Sequence, residues 1–119
     1  MKQRFRLKRR DDFDRVMGGR RVFAGRTLVA FAVPNPDGRW RVGVAVSRQL
    51  RGAAARNRLR RRLREAARTN LLPQDSEAGS SGIAYDMVLI GRPAGLDAPH
   101  PVLQEEVVRV RSRLGGGNG

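Results

Sequence analysis

Between Arg51 and Arg68 stand eight arginines and a single acid, Glu65. A guanidinium is a planar fork of donors that pairs bidentately with phosphate and stacks on bases. A run of them is therefore suited to holding a polyanion. Read as a helix, the stretch from Ala55 to Arg68 puts Ala55, Leu59, Leu63 and Ala66 on a narrow apolar stripe. Asn57, Arg60, Arg61, Arg64 and Arg68 then fall on the opposite side, with Arg56 and Arg62 flanking the stripe. The pairs Arg58/Arg62, Arg60/Arg64 and Arg64/Arg68 repel at i, i+4, each by about 0.2–0.5 kcal/mol. A helix kept only for packing gains nothing from that repulsion, whereas one lying along phosphates does. Asn57 is a weak helix former and suits a hydrogen-bonding reader or a cap.

Other chemistry is sparse. There is no cysteine, hence no disulfide and no thiolate nucleophile or ligand. The one histidine, His100, sits between Pro99 and Pro101, where a helix-capping or surface role fits. Hydrolysis by a protein site needs a positioned acid and base or a carboxylate cluster around a metal. Asp11, Asp12 and Asp14 lie too close to Arg10 and Arg15 to read as ligands, and Glu105 and Glu106 read as first-turn helix charges. No catalytic residue and no protein metal site is expected, and no Walker-type phosphate loop is present.

The 119 residues suffice for one domain, residues 1–114, and 39% apolar content allows a modest core. The net charge of +14 is segregated: residues 1–26 and 39–68 carry all the excess, and residues 69–119 are slightly acidic. Segregation predicts one strongly positive face. Arginine makes up 23 of the 25 basic residues; coding bias accounts for Arg over Lys, but not for the clustering. No apolar run approaches the roughly 18 residues of a membrane span. The start, Met1 to Lys8, is basic without the apolar stretch of a secretion signal. A cytoplasmic protein with no membrane partner is expected.

The elements that would position these residues follow from periodicity. Residues 1–10 read as an extended basic arm. Asp11 or Asp12 caps a short helix with Phe13, Val16 and Met17 as its apolar side, stopped at Gly18-Gly19. Val22 to Val33 reads as one or two strands broken near Gly25. Val29, Phe31 and Val33 point one way, and Leu28, Ala30 and Ala32 the other. Residues 34–38 are a turn by composition. In Arg39–Ser47, Trp40, Val42, Val44 and Val46 share one face; Arg41, Gly43, Ala45 and Ser47 share the opposite one. Strands Thr27–Val33 and Arg39–Ser47 suggest an antiparallel hairpin. A basic loop over 48–54 leads into the arginine helix, about Ala55 to Thr69. Residues 74–82 form a flexible loop, Ile83–Gly91 an apolar strand, and Val102–Leu114 a last helix burying Leu103, Val107, Val110 and Leu114. Residues 115–119 read as a disordered tail. The order α-β-β-β-α-β-α predicts an α/β (α+β) two-layer sandwich around a mixed sheet.

These residues also carry a family resemblance. Arg56-Asn57-Arg58, Arg60-Arg61, Arg64-Glu65-Ala66 and Arg68 are similar to the signature of the bacterial ribonuclease P protein component. Arg41 to Arg48 resembles that family's strand into the signature. Arg6-Leu7-Lys8 with Asp12-Phe13 resembles its start, and Gly91-Arg92-Pro93 the end of its last strand. The resemblance spans roughly residues 4–114. It implies a four-stranded mixed sheet with a left-handed β-α-β crossover through the arginine helix, an exception to the usual hand. It implies a subunit of an endoribonuclease that removes the 5′ leader of precursor tRNA. In that enzyme an RNA partner is the catalyst, with Mg2+ held mainly by the RNA.

By position, the resemblance implies that Phe13, Met17, Phe31, Val44 and Ser47 line a cleft for the single-stranded leader. Arg48 and Arg51 would flank it, with Arg9 and Arg26 adding phosphate contacts. Arg56, Asn57, Arg58, Arg60, Arg61, Arg64 and Arg68 would face the catalytic RNA. The partners implied are that RNA and precursor tRNA, with no obligate protein partner. Met17 stands where the family often has an aromatic residue, and Phe31 where tyrosine is common. Core packing is the other reading of Phe13, Met17 and Phe31. A stand-alone RNA-binding module and a basic DNA-binding protein are the alternatives for the chain as a whole.

Overall fold

The computed structural model describes residues 6–7, 9–35, 40–71 and 84–114. The sequence-derived loop at 74–82, the tail at 115–119 and most of the arm and of the turn at 34–38 lie outside them. Helix α1 (Arg10–Met17) is followed by strands β1 (Arg20–Ala24), β2 (Leu28–Asn35) and β3 (Arg41–Val46). Helix α2 (Ala53–Asn70), strand β4 (Ala84–Gly91), the one-turn α3 (Ala94–Asp97) and α4 (His100–Leu114) complete the order.

The strands form one mixed sheet in the order β1-β2-β4-β3. β2 is antiparallel to β1 and β4, and β3 is parallel to β4. The expected hairpin between β2 and β3 is therefore not formed; β4 lies between them. The reason is burial. β4 is apolar on both parities, Met87 and Leu89 facing one core and Val88 and Ile90 the other, and only an interior position covers both faces. The hairpin is instead β1–β2, turning at Gly25. A parallel β3–β4 pair needs a crossover, and α2 supplies it.

Helices α2 and α4 cover one face. Leu59, Leu63 and Ala66 of α2 and Leu103, Val107 and Val110 of α4 pack with Leu28, Ala30, Val42, Val44, Val46, Met87 and Leu89. Each fully buried Leu or Val contributes about 1.5–3 kcal/mol. Trp40 meets Tyr85 edge-on at 5.5 Å at the margin of this core. The sheet and these two helices form the expected two layers, and α1 lies over part of the second face. There Leu7, Val16 and Val88 are buried, with Phe13, Phe31, Val33 and Ile90 packed against them.

Local signals account for the boundaries, with corrections. α1 starts at Arg10, so Asp11 and Asp12 lie in its first turn rather than at its cap; the N-cap residue, Arg9, makes no side-chain cap bond. Gly18 N–H donates to Asp14 O and Gly19 N–H to Val16 O, each at 3.0 Å, closing the helix. β2 continues through Pro34 and Asn35, into the segment expected to turn. α2 begins after Gly52, whose φ of +96° is a conformation that L side chains rarely adopt. α4 begins at His100, so Glu105 and Glu106 fall in its second turn. Glu106 is more than a helix charge. Its Oε1 accepts from Thr27 N and Oγ1 at 3.0 and 2.8 Å and its Oε2 from Arg26 N at 3.0 Å, pinning the β1–β2 turn.

Candidate nucleic-acid interface

Two surfaces emerge from this frame, on either side of β3. The first is the outer face of α2. Its apolar stripe is buried as the spacing requires, with Leu59, Leu63, Ala66 and Ala67 inward, which turns most of the arginines outward. Arg58 and Arg61 are exposed and have no protein partner among the described residues. Arg60 donates from Nη1 to Asn57 Oδ1 at 2.8 Å, so Asn57 orients a neighbouring guanidinium. Arg64 is half-buried, and its burial, with Arg6 and Arg60 nearby, lowers its basicity below the ordinary arginine value. Arg68 pairs with Glu65 at 2.5 Å, with both side chains about half exposed. The same hydrogen bond holds the Glu65 carboxyl below the usual range.

Two arginines of α2 act inside the fold. Arg56 is half-buried and donates to Ser47 O and Leu50 O at 2.9 Å and to Val46 O at 3.3 Å. It clips the β3–α2 loop to the helix, from the position flanking the apolar stripe that the spacing gives it. Arg62 donates to Gly95 O, Leu96 O and Ala98 O, closing the C-terminal end of α3. The remaining positive charge is not cancelled within the domain: among the described residues, Glu65 is the one carboxylate ion-paired with an α2 arginine. α2 also has no acid in its first turn, so the positive end of the helix dipole adds to the field.

Residue Arg6 extends this surface. It forms a parallel bridge with Val42, and Leu7 N–H donates to Val42 O at 3.0 Å. The chain thus runs along the outer edge of β3 and brings Arg6 near Arg64. No periodicity could have revealed it, since two residues carry no pattern.

The second surface is the face of the sheet that α1 only partly covers. Pairing across the strands gives its rows: Val33–Asp86–Arg41, Phe31–Val88–Gly43 and Val29–Ile90–Ala45. Phe13 lies on Gly43 so closely that a Cβ there would stand 2.5 Å from its Cζ. Beyond α1 the floor of Val29, Phe31, Ala45 and Ile90 stays half-buried, and Met17 at the helix end is 41% exposed. This groove leads to the end of the sheet where Leu28, Gly91 and Val46 align. Beyond that row stand Ser47, Arg48 and, in the β1–β2 turn, Arg26. Arg48, Arg51 and Arg26 are exposed, as is Arg9 at the start of α1. Ser47 N–H donates to Gly91 O at 2.8 Å, and its Oγ accepts from Gln49 N at 3.2 Å.

The structure thus brings Phe13, Phe31 and Ser47 to one face, with Arg26 and Arg48 at its end, while Met17 stands exposed at the end of α1. Val44 is a correction. It pairs with Leu89 and belongs to the core under α2, on the side opposite Phe31. The alternation of β3 already separates Val44 from Ser47. Val29, Ala45 and Ile90 are floor residues the sequence reading missed; the same alternation would have found Ala45.

A mixed sheet with a β3-α2-β4 crossover, an arginine face on the crossover helix and an apolar groove behind it defines a small α+β protein with a strongly basic outer face. The family model described as Ribonuclease P matches residues 1–115, and the chain belongs to that family. It is 41% identical over 108 residues to a ribonuclease P protein component of Chloroflexus aurantiacus, covering 90% of this chain and 75% of that one. It is 39% identical over 116 residues to that of Symbiobacterium thermophilum, covering 97% and 95%. A solved RNase P protein from Staphylococcus aureus superposes with a TM-score of 0.67 at 27% identity, over 89% of this chain and 91% of that one. The fold is also that of an RNase P protein from Thermotoga maritima, TM-score 0.72 at 24% identity, over 92% and 96%. Membership carries a general role in tRNA 5′ processing as a protein component, which implies an RNA partner. Among the described residues no helix is long and apolar enough to cross a membrane.

Proposed function

We propose that the chain is a non-catalytic subunit that docks the outer face of α2 on the catalytic RNA of ribonuclease P. It holds the single-stranded 5′ leader of precursor tRNA in the groove between α1 and the sheet. The observation that carries this reading is the set of guanidiniums on α2 that have no carboxylate partner among the described residues, Arg58 and Arg61 foremost, beside an uncovered apolar floor. Repulsion among such charges is relieved when phosphates replace their counterions. The half-buried Phe31 ring is available for base stacking, and the small Ala45 lets a strand approach the sheet.

Cleavage itself is assigned to the RNA, with Mg2+ as its metal. Among the described residues no three His, Cys, Asp or Glu side chains converge as a metal-ligating group. The protein's contribution is to hold the leader and to screen the phosphates brought together at the junction. The test is reconstitution at low magnesium with catalytic RNA and precursor tRNA. Cleavage that rises with the protein and vanishes without the RNA is expected. Cleavage by the protein alone would overturn the assignment. Tighter binding of duplex DNA than of single-stranded RNA would favour the DNA-binding alternative.

A further inference from the structure

Asp86 is 1% exposed, yet it is charged and lies in the middle of the sheet on β4. Its carboxylate gathers donors from three other elements. Arg15 of α1 donates Nη2 to Oδ2 at 2.6 Å. Arg41 of β3 donates Nε to Oδ1 at 2.9 Å and Nη2 to Oδ2 at 3.0 Å. Asn35 of β2 donates Nδ2 to Oδ1 at 2.8 Å. Arg15 also reaches Asp12 Oδ1 at 3.3 Å.

A buried ion pair is weak evidence for stability, since well-packed apolar residues often replace it without loss. What such a network supplies is geometry. Each oxygen of Asp86 is claimed from fixed directions, so a slide or roll of α1 would break the Arg15 bond and leave a buried carboxylate under-compensated. The hydrogen bonds to Asp86 raise both Arg15 and Arg41 above the ordinary arginine value, in spite of partial burial. Asp86 occupies the row next to Phe31–Val88–Gly43, on which Phe13 rests. The four charges Arg15, Arg41, Asp86 and Asp12 also balance. Arg26 and Arg48 at the other end have no ion-pair partner among the described residues.

We propose that Asp86 is a positioning residue for the groove: by holding Arg15 against Arg41 it fixes where α1, and with it Phe13, stands over the floor. The inference rests on the groove being the leader site.

The test uses the protein assembled with catalytic RNA and compares affinity for precursor tRNA with and without a single-stranded leader. Asp86→Asn and Arg15→Met should each weaken the leader-bearing RNA roughly tenfold, about 1.4 kcal/mol, and leave leaderless tRNA and catalytic RNA within about twofold. Arg15→Lys, which keeps a charge on Asp86, should recover part of the loss. If Asp86→Asn does not fold, Arg15→Met decides, because it keeps the Arg41–Asp86 pair. Native affinity for leader-bearing RNA in Arg15→Met, or an equal loss for all three RNAs, overturns the proposal. If the native protein does not favour the leader at all, the groove reading fails first, and the native ratio tells the two failures apart.

Discussion

Phe13 rests directly on Gly43: an added Cβ would stand 2.5 Å from the ring's Cζ and 2.8 Å from Cε2. α1 can therefore sit this low on the sheet only because β3 is bare at that point. The floor beyond it stays open because α1 is two turns long and ends at Gly18.

Gly43→Ala should push Phe13 and with it α1 off the sheet, costing about 1–3 kcal/mol as overpacking does. Thermal unfolding would measure the loss. Affinity for leader-bearing RNA should fall with it, while affinity for catalytic RNA, read through α2, should hold once the protein is folded.

Phe31→Ala removes a half-buried ring from the same floor. If the ring stacks a base, precursor tRNA should lose about 1–3 kcal/mol of binding and mature tRNA none. Titration of both RNAs decides; equal losses would make Phe31 a core residue alone.

Arg56 and Arg58 are two residues apart and should behave oppositely. Arg56→Ala removes hydrogen bonds to Ser47 O, Leu50 O and Val46 O and should cost about 1.5–3 kcal/mol of stability in denaturant unfolding.

Arg58→Ala with Arg61→Ala disturbs no hydrogen bond or ion pair among the described residues and should change stability by no more than about 0.5 kcal/mol. Its effect should appear in RNA binding. The salt dependence should flatten by roughly 0.7–0.9 log units per log unit of salt for each phosphate that is no longer neutralised.

Much of this was legible in the residues. The alternation of β2 and β3 sorted Phe31 from Ala30 and Ala45 from Val44, and the stripe Leu59, Leu63, Ala66 set the roll of α2. Strand order was not legible. The hairpin expected between β2 and β3 was a local inference from two alternating strands and a turn. It fails because β4, apolar on both parities, takes the place between them, and that is a property of the whole sheet. The roles of Arg56 and Arg62 were hidden for a related reason: an arginine bonded to carbonyls of its own chain reads the same as one awaiting phosphate. Asp86 was hidden as well, since its partners Arg15, Asn35 and Arg41 come from three distant segments.

Contact with phosphate is the role proposed for the α2 guanidiniums that have no ion-pair partner among the described residues. Its most direct test is the affinity of the native protein for catalytic RNA across a salt series. With four or five phosphates neutralised, log affinity should fall with a slope of roughly −3 to −5 against log salt. A slope near zero, with binding intact, would contradict the account.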